Sequence, residues 1–148
     1  MSANCIFCRI VNGDLPSTKI YEDADTLAFM DIGPVVKGHA LVIPKQHYDP
    51  ITKTPVDVLA RLMNVVRKIA QAQMNGLRAD GVNVMNANGT VAGQQVPHLH
   101  FHVVPRFKTD GHRWNWAAKK YDSMEEMRKF AEEMKKAMWT TDHEESKF

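Results

Sequence analysis

The chain has 148 residues, of which 44% are hydrophobic, and its formal net charge is +2. Length and apolar content fit one domain with a packed core, residues 1–148, and the small charge argues against a broad nucleic-acid-binding surface. The first ten residues lack the basic region and long apolar stretch of a secretory signal, and no apolar run has the length of a membrane helix. We therefore expect a cytoplasmic protein with neither a nucleic-acid nor a membrane partner.

Three strands are predicted in the first third of the chain. Thr18–Tyr21 and Thr26–Asp31 form a hairpin in this interpretation, because the turn-forming residues Glu22–Asp25 separate them. The segment Gly38–Pro44 is short, apolar and rich in β-branched residues, which favours a third strand.

A long helix is predicted to follow. Thr54 has the residue type of an N-cap, Pro55 suits the first helical position, and Asp57 lies in the first turn. Asn75–Gly76 is typical of a helix end. Apolar side chains recur between these limits at helical spacing, namely Val58, Leu59, Leu62, Val65, Val66, Ile69 and Met74.

The second half predicts two more strands and a second helix. Val82–Met85 and Val96–Pro105 are the strands, joined by the loop Asn86–Gln95, which is rich in asparagine and glycine. The helix spans Ser123–Met138, with Ser123 as its N-cap and Glu126 at the capping-box position. Strands accompanied by two helices predict an α+β fold with an antiparallel sheet.

Two groups of large side chains near the C-terminus are expected to have packing roles. Met127, Phe130, Met134 and Met138 form a stripe on the second helix, which indicates core or partner packing rather than a cofactor site. Trp114 and Trp116 follow the last strand, and aromatic packing is the expected role there too.

Three histidines alternate along the last predicted strand. Since side chains on a strand point to opposite faces in turn, His98, His100 and His102 should share one face. The residues between them, Leu99, Phe101 and Val103, should face the core. A structural role would explain a single histidine, but several aligned imidazoles indicate a functional site.

Two chemistries use such a face. Three imidazoles can bind zinc and leave a position open for water, or one imidazole can act as a nucleophile while its neighbours fix its tautomer and handle protons. The turn Ala92–Gln95 runs directly into the histidine strand and offers a glycine and amide donors suited to phosphate oxygens. This favours nucleophilic catalysis at phosphorus.

The pair Cys5 and Cys8 has four interpretations. A redox motif is disfavoured because it needs a helix N-terminus after a strand, and a structural disulfide is disfavoured in a reducing compartment. The two thiolates can supply half of a tetrahedral zinc site, or they can be free, buried thiols.

These residues resemble the histidine triad (HIT) family. Its signature of three histidines separated by apolar residues is complete in His98–Val104. The segments Asp31–Pro34 and Gly38–His47 resemble the N-terminal half of the family, and Ala92–Val96 resembles its phosphate loop. The resemblance covers about residues 4–106, which leaves a C-terminal extension with the helix 123–138, and it points to the Hint-like, nucleotide-binding branch.

The resemblance implies a fold and a reaction. The fold would be a five-stranded antiparallel sheet with one long helix, paired into a two-fold homodimer. His100 would attack the α-phosphorus of an AMP conjugate, form an adenylyl-histidine intermediate, and release AMP when water attacks. His98 and His102 would complete the catalytic triad, and His39 would support it from behind. Residues implied to bind the purine nucleotide are Asp31, Ile32, Asn86, Gly93, Gln94, Gln95, Val96, His100 and His102.

The resemblance also implies a structural zinc ion, bound by Cys5, Cys8, His47 and His98, and no organic cofactor. Zinc would connect the N-terminus to the histidine strand and leave His100 free.

Two departures from the family pattern affect the site. Gln95 stands where many relatives have a hydroxyl residue, and either Asn86 or Asn88 can take the place of the phosphate-side asparagine, with Asn86 favoured.

Several functions remain open at this point. A purine nucleoside phosphoramidate or adenylate-ester hydrolase, similar to an adenosine 5'-monophosphoramidase, is the main expectation. A dinucleoside polyphosphate hydrolase belongs to the same class, while a non-catalytic purine-nucleotide-binding scaffold belongs to another. A three-histidine metal hydrolase is a further alternative, but it gives the loop before the triad no role.

Overall fold

The computed structural model describes residues 3–114 and 117–145, with side chains described as far as residue 138. Its contacts divide the chain into two units, residues 1–112 and 113–148. The first unit contains α1 (Ile6–Val11), β1 (Lys19–Glu22), β2 (Thr26–Met30), β3 (Ala40–Pro44), α2 (Val56–Gly76), β4 (Gly81–Met85) and β5 (Phe101–Arg106). The second contains α3 (Met124–Glu145). Trp116 lies outside the described residues.

The five strands form one sheet in the order β1-β2-β3-β5-β4, and every neighbouring pair is antiparallel. This confirms the predicted α+β fold with a five-stranded antiparallel sheet. The hairpin between β1 and β2 closes as expected, because the Asp23 carboxylate accepts hydrogen bonds from the backbone N–H groups of Asp25 and Thr26.

Each face of the sheet is covered by a helix. The apolar stripe of α2 packs with Val42, Leu99, Phe101 and Val103 in one hydrophobic cluster. The short helix α1 contributes Cys5, Phe7, Cys8 and Ile10 to a second cluster with Leu27, Phe29, Leu41 and Ile43. Because both faces are covered, β3 is buried over its whole length.

A close approach of the backbone before β3 requires glycine. Gly38 has a φ of +101°, which residues with a side chain rarely adopt. A Cβ placed there would lie 2.7 Å from Leu77 Cδ1 and 2.9 Å from Pro105 Cγ. The turn after α2 and the end of β5 therefore pack directly on the chain that enters β3.

Two predictions about the helices of the first unit were wrong. Helix α1 was not predicted, because its six residues are too few to show a helical period. Thr54 does not cap α2: Pro55 precedes its first residue, and the Thr54 hydroxyl instead donates to the carbonyl of Pro50. The reason is a 3-10 turn, Ile51–Lys53, which Thr54 ends.

The predicted strand Val96–Pro105 begins too early. In the structure β5 starts at Phe101, so that His98 and His100 precede the strand. Pro97 has no N–H for a strand ladder, the N–H of His98 donates to the carbonyl of Val96, and that of Leu99 donates to the carbonyl of Tyr48. Because these backbone groups bond to a turn and a loop, the residues before Phe101 do not join the sheet.

In the second unit the capping prediction is confirmed and the predicted end is wrong. The N–H of Glu126 donates to the hydroxyl of Ser123, as a capping box requires, while the Glu126 carboxylate accepts from the N–H of Asp122. Helix α3 runs to Glu145 rather than to residue 138, since no Gly or Pro interrupts it. Among the described residues, no helix has both the length and the apolar character needed to span a membrane.

Candidate active site

The three triad histidines lie on the face of the sheet opposite α2. Leu99, Phe101 and Val103 pack into the α2 cluster, so the predicted alternation of sides holds although only His102 is within β5. His98 is 0% and His100 5% exposed. The ring of Phe7 packs edge-on against both His98 and His100 and so contributes to their burial.

The hydrogen bonds of His98 fix its tautomer. Its Nε2 lies 2.8 Å from the carbonyl oxygen of Pro44, which can only accept, so Nε2 carries the proton. The Nδ1 lone pair is therefore free to face Cys5 Sγ at 3.4 Å and Cys8 Sγ at 3.6 Å. This is the orientation that a metal-binding imidazole needs.

His100 has the opposite arrangement. Its Nδ1 lies 2.6 Å from the carbonyl oxygen of His98, so the proton is on Nδ1 and donates there. The lone pair is consequently on Nε2, which none of the hydrogen bonds found among the described residues occupies. An imidazole with its second nitrogen held in this way has the tautomer of a nucleophile or a base.

A second pair of histidines lies beside His100. The N–H of Val35 donates to His39 Nδ1 at 3.3 Å, so the His39 proton is on Nε2, which donates to His102 Nδ1 at 2.9 Å. His102 then carries its own proton on Nε2. The Asp31 carboxylate lies 3.5 Å from His39 Nε2, and its negative charge favours a proton on that nitrogen.

Burial keeps these imidazoles neutral. It lowers the pKa of His98 to about 4 and that of His102 to about 4, with the neighbouring histidines adding to the effect. Burial likewise lowers the pKa of His100 and of His39, and the negative charge of Asp31 opposes both shifts. At neutral pH the lone pairs on His98 Nδ1 and His100 Nε2 are therefore unprotonated.

A cluster of four metal-binding side chains lies at the N-terminus of α1 and consists of Cys5, Cys8, His47 and His98. Their ligand atoms all lie within 4.8 Å of one another, and His47 Nδ1 is 3.4 Å from Cys8 Sγ. Tetrahedral zinc with ordinary Zn–S and Zn–N bonds separates sulfur and nitrogen ligands by about 3.6 Å. The measured S···N distances of 3.4 to 3.6 Å match that geometry, so these residues fit zinc.

The loop before the triad is held by Gln94. Its Oε1 accepts from the N–H of Gly89 at 2.7 Å, and its Nε2 donates to Asp49 Oδ1 at 2.7 Å and to the carbonyl of Val96. The expected role of the Gln94 amide as a free phosphate donor is therefore not what the side chain does. Gly93 has a φ of +93°, which turns the chain, and Gln95 is exposed.

Both candidate asparagines take part in one hydrogen-bond chain. Asn86 Nδ2 donates to the carbonyl of His100 at 2.9 Å, and its Oδ1 accepts from Asn88 Nδ2 at 2.5 Å. Asn88 Oδ1 in turn accepts from the N–H of Ile51 at 2.8 Å. The two residues thus act in series, where the sequence suggested a choice between them.

Other predicted residues lie around the imidazole groups. The side chain of Asp31 is 20% exposed beside His39, and the side chain of Ile32 next to it is fully exposed. A depression of about 380 Å³ is lined by Cys5, His47, Asp49, Gln95 and Val96 with their neighbours Asn4, Ile6 and Pro97. It borders both the loop and the cysteine–histidine cluster.

The sequence did not identify Phe7 or Asp49 as partners of the site, and it named Asn88 only as the less favoured alternative to Asn86. Phe7 lies between Cys5 and Cys8, which were predicted to share a zinc site with His98. That prediction already implied that Phe7 lies close to the triad. Asp49 offered no such signal, because it acts through a contact with Gln94, which is distant in the chain.

Comparison with known proteins identifies the family. Residues 12–109 match the family described as HIT domain. The fold, the complete histidine triad and this match together show that the chain belongs to the HIT family.

Three relatives illustrate the similarity. The adenosine 5'-monophosphoramidase HNT1 of Candida albicans is 35% identical over 147 residues, covering 96% of each chain. A crystal structure from Streptococcus mutans UA159 has a TM-score of 0.88 and 40% identity, covering 93% of this chain and 87% of that one. A zinc-bound histidine triad family protein from Mycobacterium smegmatis has a TM-score of 0.70 and 42% identity, covering 84% and 88%. The first relative is a hydrolase, which agrees with the class of enzyme that the sequence predicted.

Proposed function

We propose that this protein hydrolyses purine nucleoside phosphoramidates or adenylate esters at the α-phosphorus, with His100 as the nucleophile. The tautomer of His100 carries this proposal, since the hydrogen bond from Nδ1 to the His98 carbonyl leaves the Nε2 lone pair free. The activity named for the Candida albicans relative supports it. A free lone pair on a buried, neutral imidazole is what attack on phosphorus requires.

The reaction has two displacements. The His100 Nε2 lone pair forms a bond to the α-phosphorus while the bond from phosphorus to the leaving amine breaks. The amine takes a proton from a water molecule and departs, and this leaves a hydroxide ion. The hydroxide then attacks the phosphorus, the bond to His100 breaks, AMP leaves, and the imidazole returns to its neutral form. One water is consumed, and one amine and one AMP are released.

The surrounding residues have distinct roles in this scheme. His102 donates from Nε2 to an α-phosphate oxygen, because the bond from His39 fixes its proton on that atom. Asp31 and Ile32 face the nucleoside. Gln95 can donate a hydrogen bond to the leaving group but cannot transfer a proton, so the proton for the amine comes from water at this exposed residue.

A fluorogenic adenosine phosphoramidate tests the proposal. Wild-type protein should release the amine, and His100→Ala should not. Mass spectrometry of acid-quenched wild-type enzyme should show the added mass of one adenylyl group on the peptide containing His100. Turnover that survives in His100→Ala would exclude this residue as nucleophile, and binding of AMP without any turnover would favour a non-catalytic nucleotide-binding protein.

We also propose a structural zinc ion held by Cys5, Cys8, His47 and His98. The S···N distances and the free Nδ1 of His98 support it, as does the zinc-bound relative from Mycobacterium smegmatis. Bound zinc would tie the start of α1 to His98 and take no part in the reaction. Metal analysis of protein purified without chelator should give close to one zinc per chain, and a content far below that would overturn the proposal.

A homodimer in the cytoplasm is the assembly we infer for this enzyme. The support is the position of β4 at an edge of the sheet, where Val84 and Met85 are exposed. Light scattering coupled to size-exclusion chromatography should give the mass of two chains. A monomer at micromolar concentration would contradict the inference.

A further inference from the structure

The hydrogen-bond chain from Ile51 to His100 has a fixed direction. A backbone N–H only donates, so the Asn88 atom facing Ile51 is the oxygen, and its nitrogen must face Asn86. A carbonyl only accepts, so the Asn86 atom facing His100 is the nitrogen. Neither amide can rotate by half a turn without bringing two donors or two acceptors together. The two side chains therefore act as one rigid connection.

This connection begins where the sheet ends. The ladder between β4 and β5 has its last pair at Met85 and His102, and Asn86 and His100 lie just beyond it. The Asn86 side chain thus binds the His100 carbonyl at a place where no strand partner does so. Ala87, between the two asparagines, is buried and holds the turn of the chain against the protein.

The backbone of the nucleophile has few other attachments. The N–H of the preceding residue, Leu99, donates to the carbonyl of Tyr48 at 2.7 Å, and the His100 ring donates to the carbonyl of His98. Without the hydrogen bond to the His100 carbonyl, the peptide group between His100 and Phe101 would be held only through Phe101, the first residue of β5. Misplacement of a reacting group by 1 Å can reduce a rate about a hundredfold.

We propose that Asn88 is a positioning residue for His100 and acts only through Asn86. It touches neither the reacting atoms nor the imidazole, and its effect on catalysis passes along the chain to the His100 carbonyl. The inference rests on the proposed role of His100 as nucleophile. It assigns to Asn88 a role in the rate of the chemical step and none in nucleotide affinity.

A double-mutant cycle tests this. Asn86→Ala and Asn88→Ala should each lower kcat for an adenosine phosphoramidate by about tenfold, and Asn88→Ala should change KM less than twofold. The double variant should be no slower than Asn86→Ala alone, because Asn88 has no route to His100 once Asn86 is removed. Additive losses in the double variant, or a wild-type kcat in Asn88→Ala, would overturn the inference.

The variant Asn88→Asp distinguishes the two ends of the hydrogen-bond chain, the one at Ile51 and the one at His100. Its carboxylate still accepts from the N–H of Ile51 but places an oxygen against Asn86 Oδ1, so the connection to His100 breaks while the one to Ile51 stays. We expect kcat as low as in Asn88→Ala, or lower. If Asn88→Asp keeps the wild-type kcat, Asn88 acts only as an anchor for Ile51, and the proposal is wrong.

Amide NMR gives a readout that does not need activity. Because Phe101 shares its peptide group with the His100 carbonyl, its amide resonance should move in Asn86→Ala and in both Asn88 variants. The Ile51 amide proton should move upfield in Asn88→Ala, which removes its acceptor, and should not move upfield in Asn88→Asp, which keeps one. If wild-type protein hydrolyses no phosphoramidate, the proposed function fails, yet an unmoved Phe101 amide in the Asn88 variants would still separately refute the connection.

Discussion

The ring of Phe7 meets the imidazole of His100 edge to face, with 5.1 Å between the ring centres and an angle of 86° between the planes. Phe7 also packs against His98 at 5.8 Å and against Phe29 at 5.6 Å. A residue of the short helix α1 thus fills the space beside both the proposed nucleophile and a proposed zinc ligand. Edge-to-face pairs of this kind favour one ring orientation over others.

Replacing this ring should cost activity as well as stability. In Phe7→Leu the imidazole of His100 loses its neighbour, so we expect kcat to fall about tenfold, and the free energy of unfolding to fall by about 1–3 kcal/mol. Phe29→Leu is the matched control, since Phe29 contacts Phe7 in the same cluster. The control should lose similar stability in urea unfolding and keep more of its kcat. Equal kcat losses in both variants would show that Phe7 only supports the core.

Removing the Gln94 side chain should loosen the loop before the triad. Gln94→Ala frees the N–H of Gly89 and the Asp49 carboxylate, so we expect KM to rise severalfold and stability to fall by about 1–2 kcal/mol. Gln94→Glu is a sharper variant, because it keeps the acceptor for Gly89 but places a negative charge against Asp49. It should raise KM at least as much. A KM unchanged in both variants would show that substrate binding does not depend on the shape of this loop.

Acid should destabilise the protein through His102. Its pKa is about 4 when folded and about 6.5 when unfolded, so between these values the unfolded chain binds more protons. The stabilising effect is complete above pH 6.5 and is lost as the pH falls towards 4. His102→Gln should unfold with a shallower pH dependence in that window. A direct check is the NMR titration of the His102 ring, and a midpoint near 6.5 would contradict the burial argument.

Removing zinc should destabilise the N-terminal part of the chain. Chelator treatment of purified protein should lower Tm markedly, because structural zinc contributes several kcal/mol or more to folding, and added zinc should restore it. The variant with both Cys5 and Cys8 replaced by serine should melt near the chelated value, and chelator should not change it. A Tm in wild-type protein that chelator leaves unaltered would speak against a bound structural metal.

Apolar runs and helical apolar spacing in the sequence were enough to predict the main helices and strands of the sheet. Helix α2 ends at Gly76 as expected, because its apolar residues recur at helical spacing up to a clear end signal. Strands β2 and β3 lie within their predicted segments, because each is a short apolar run that is almost wholly buried. Helix α1 was missed because six residues show no period and its cap is an unusual one, the Cys5 sulfur, which accepts from the N–H of Cys8.

Residue types predicted the kinds of group in the site, while tertiary contacts determined what each group does. Alternation predicted that the three histidines share a side, yet only the carbonyls of Pro44 and His98 show which nitrogen of His98 and of His100 is free. Gln94 has the residue type of a phosphate donor, but Asp49 and Gly89 lie close enough to occupy its amide. The contact with Asp49 joins residues far apart in the chain, and such a contact leaves no pattern in the sequence.

The boundary of β5 divides the triad between two levels of local stability. His102 lies within the strand, paired with Leu41 on one side and Met85 on the other, so its amide should exchange with solvent only when the sheet opens. His98 and His100 precede the strand, and hydrogen exchange there should report smaller, local openings. In the proposed reaction, the nucleophile would therefore depend on hydrogen bonds from outside the sheet, those of Asn86 and Tyr48, while the phosphate-binding His102 would be held by the sheet itself.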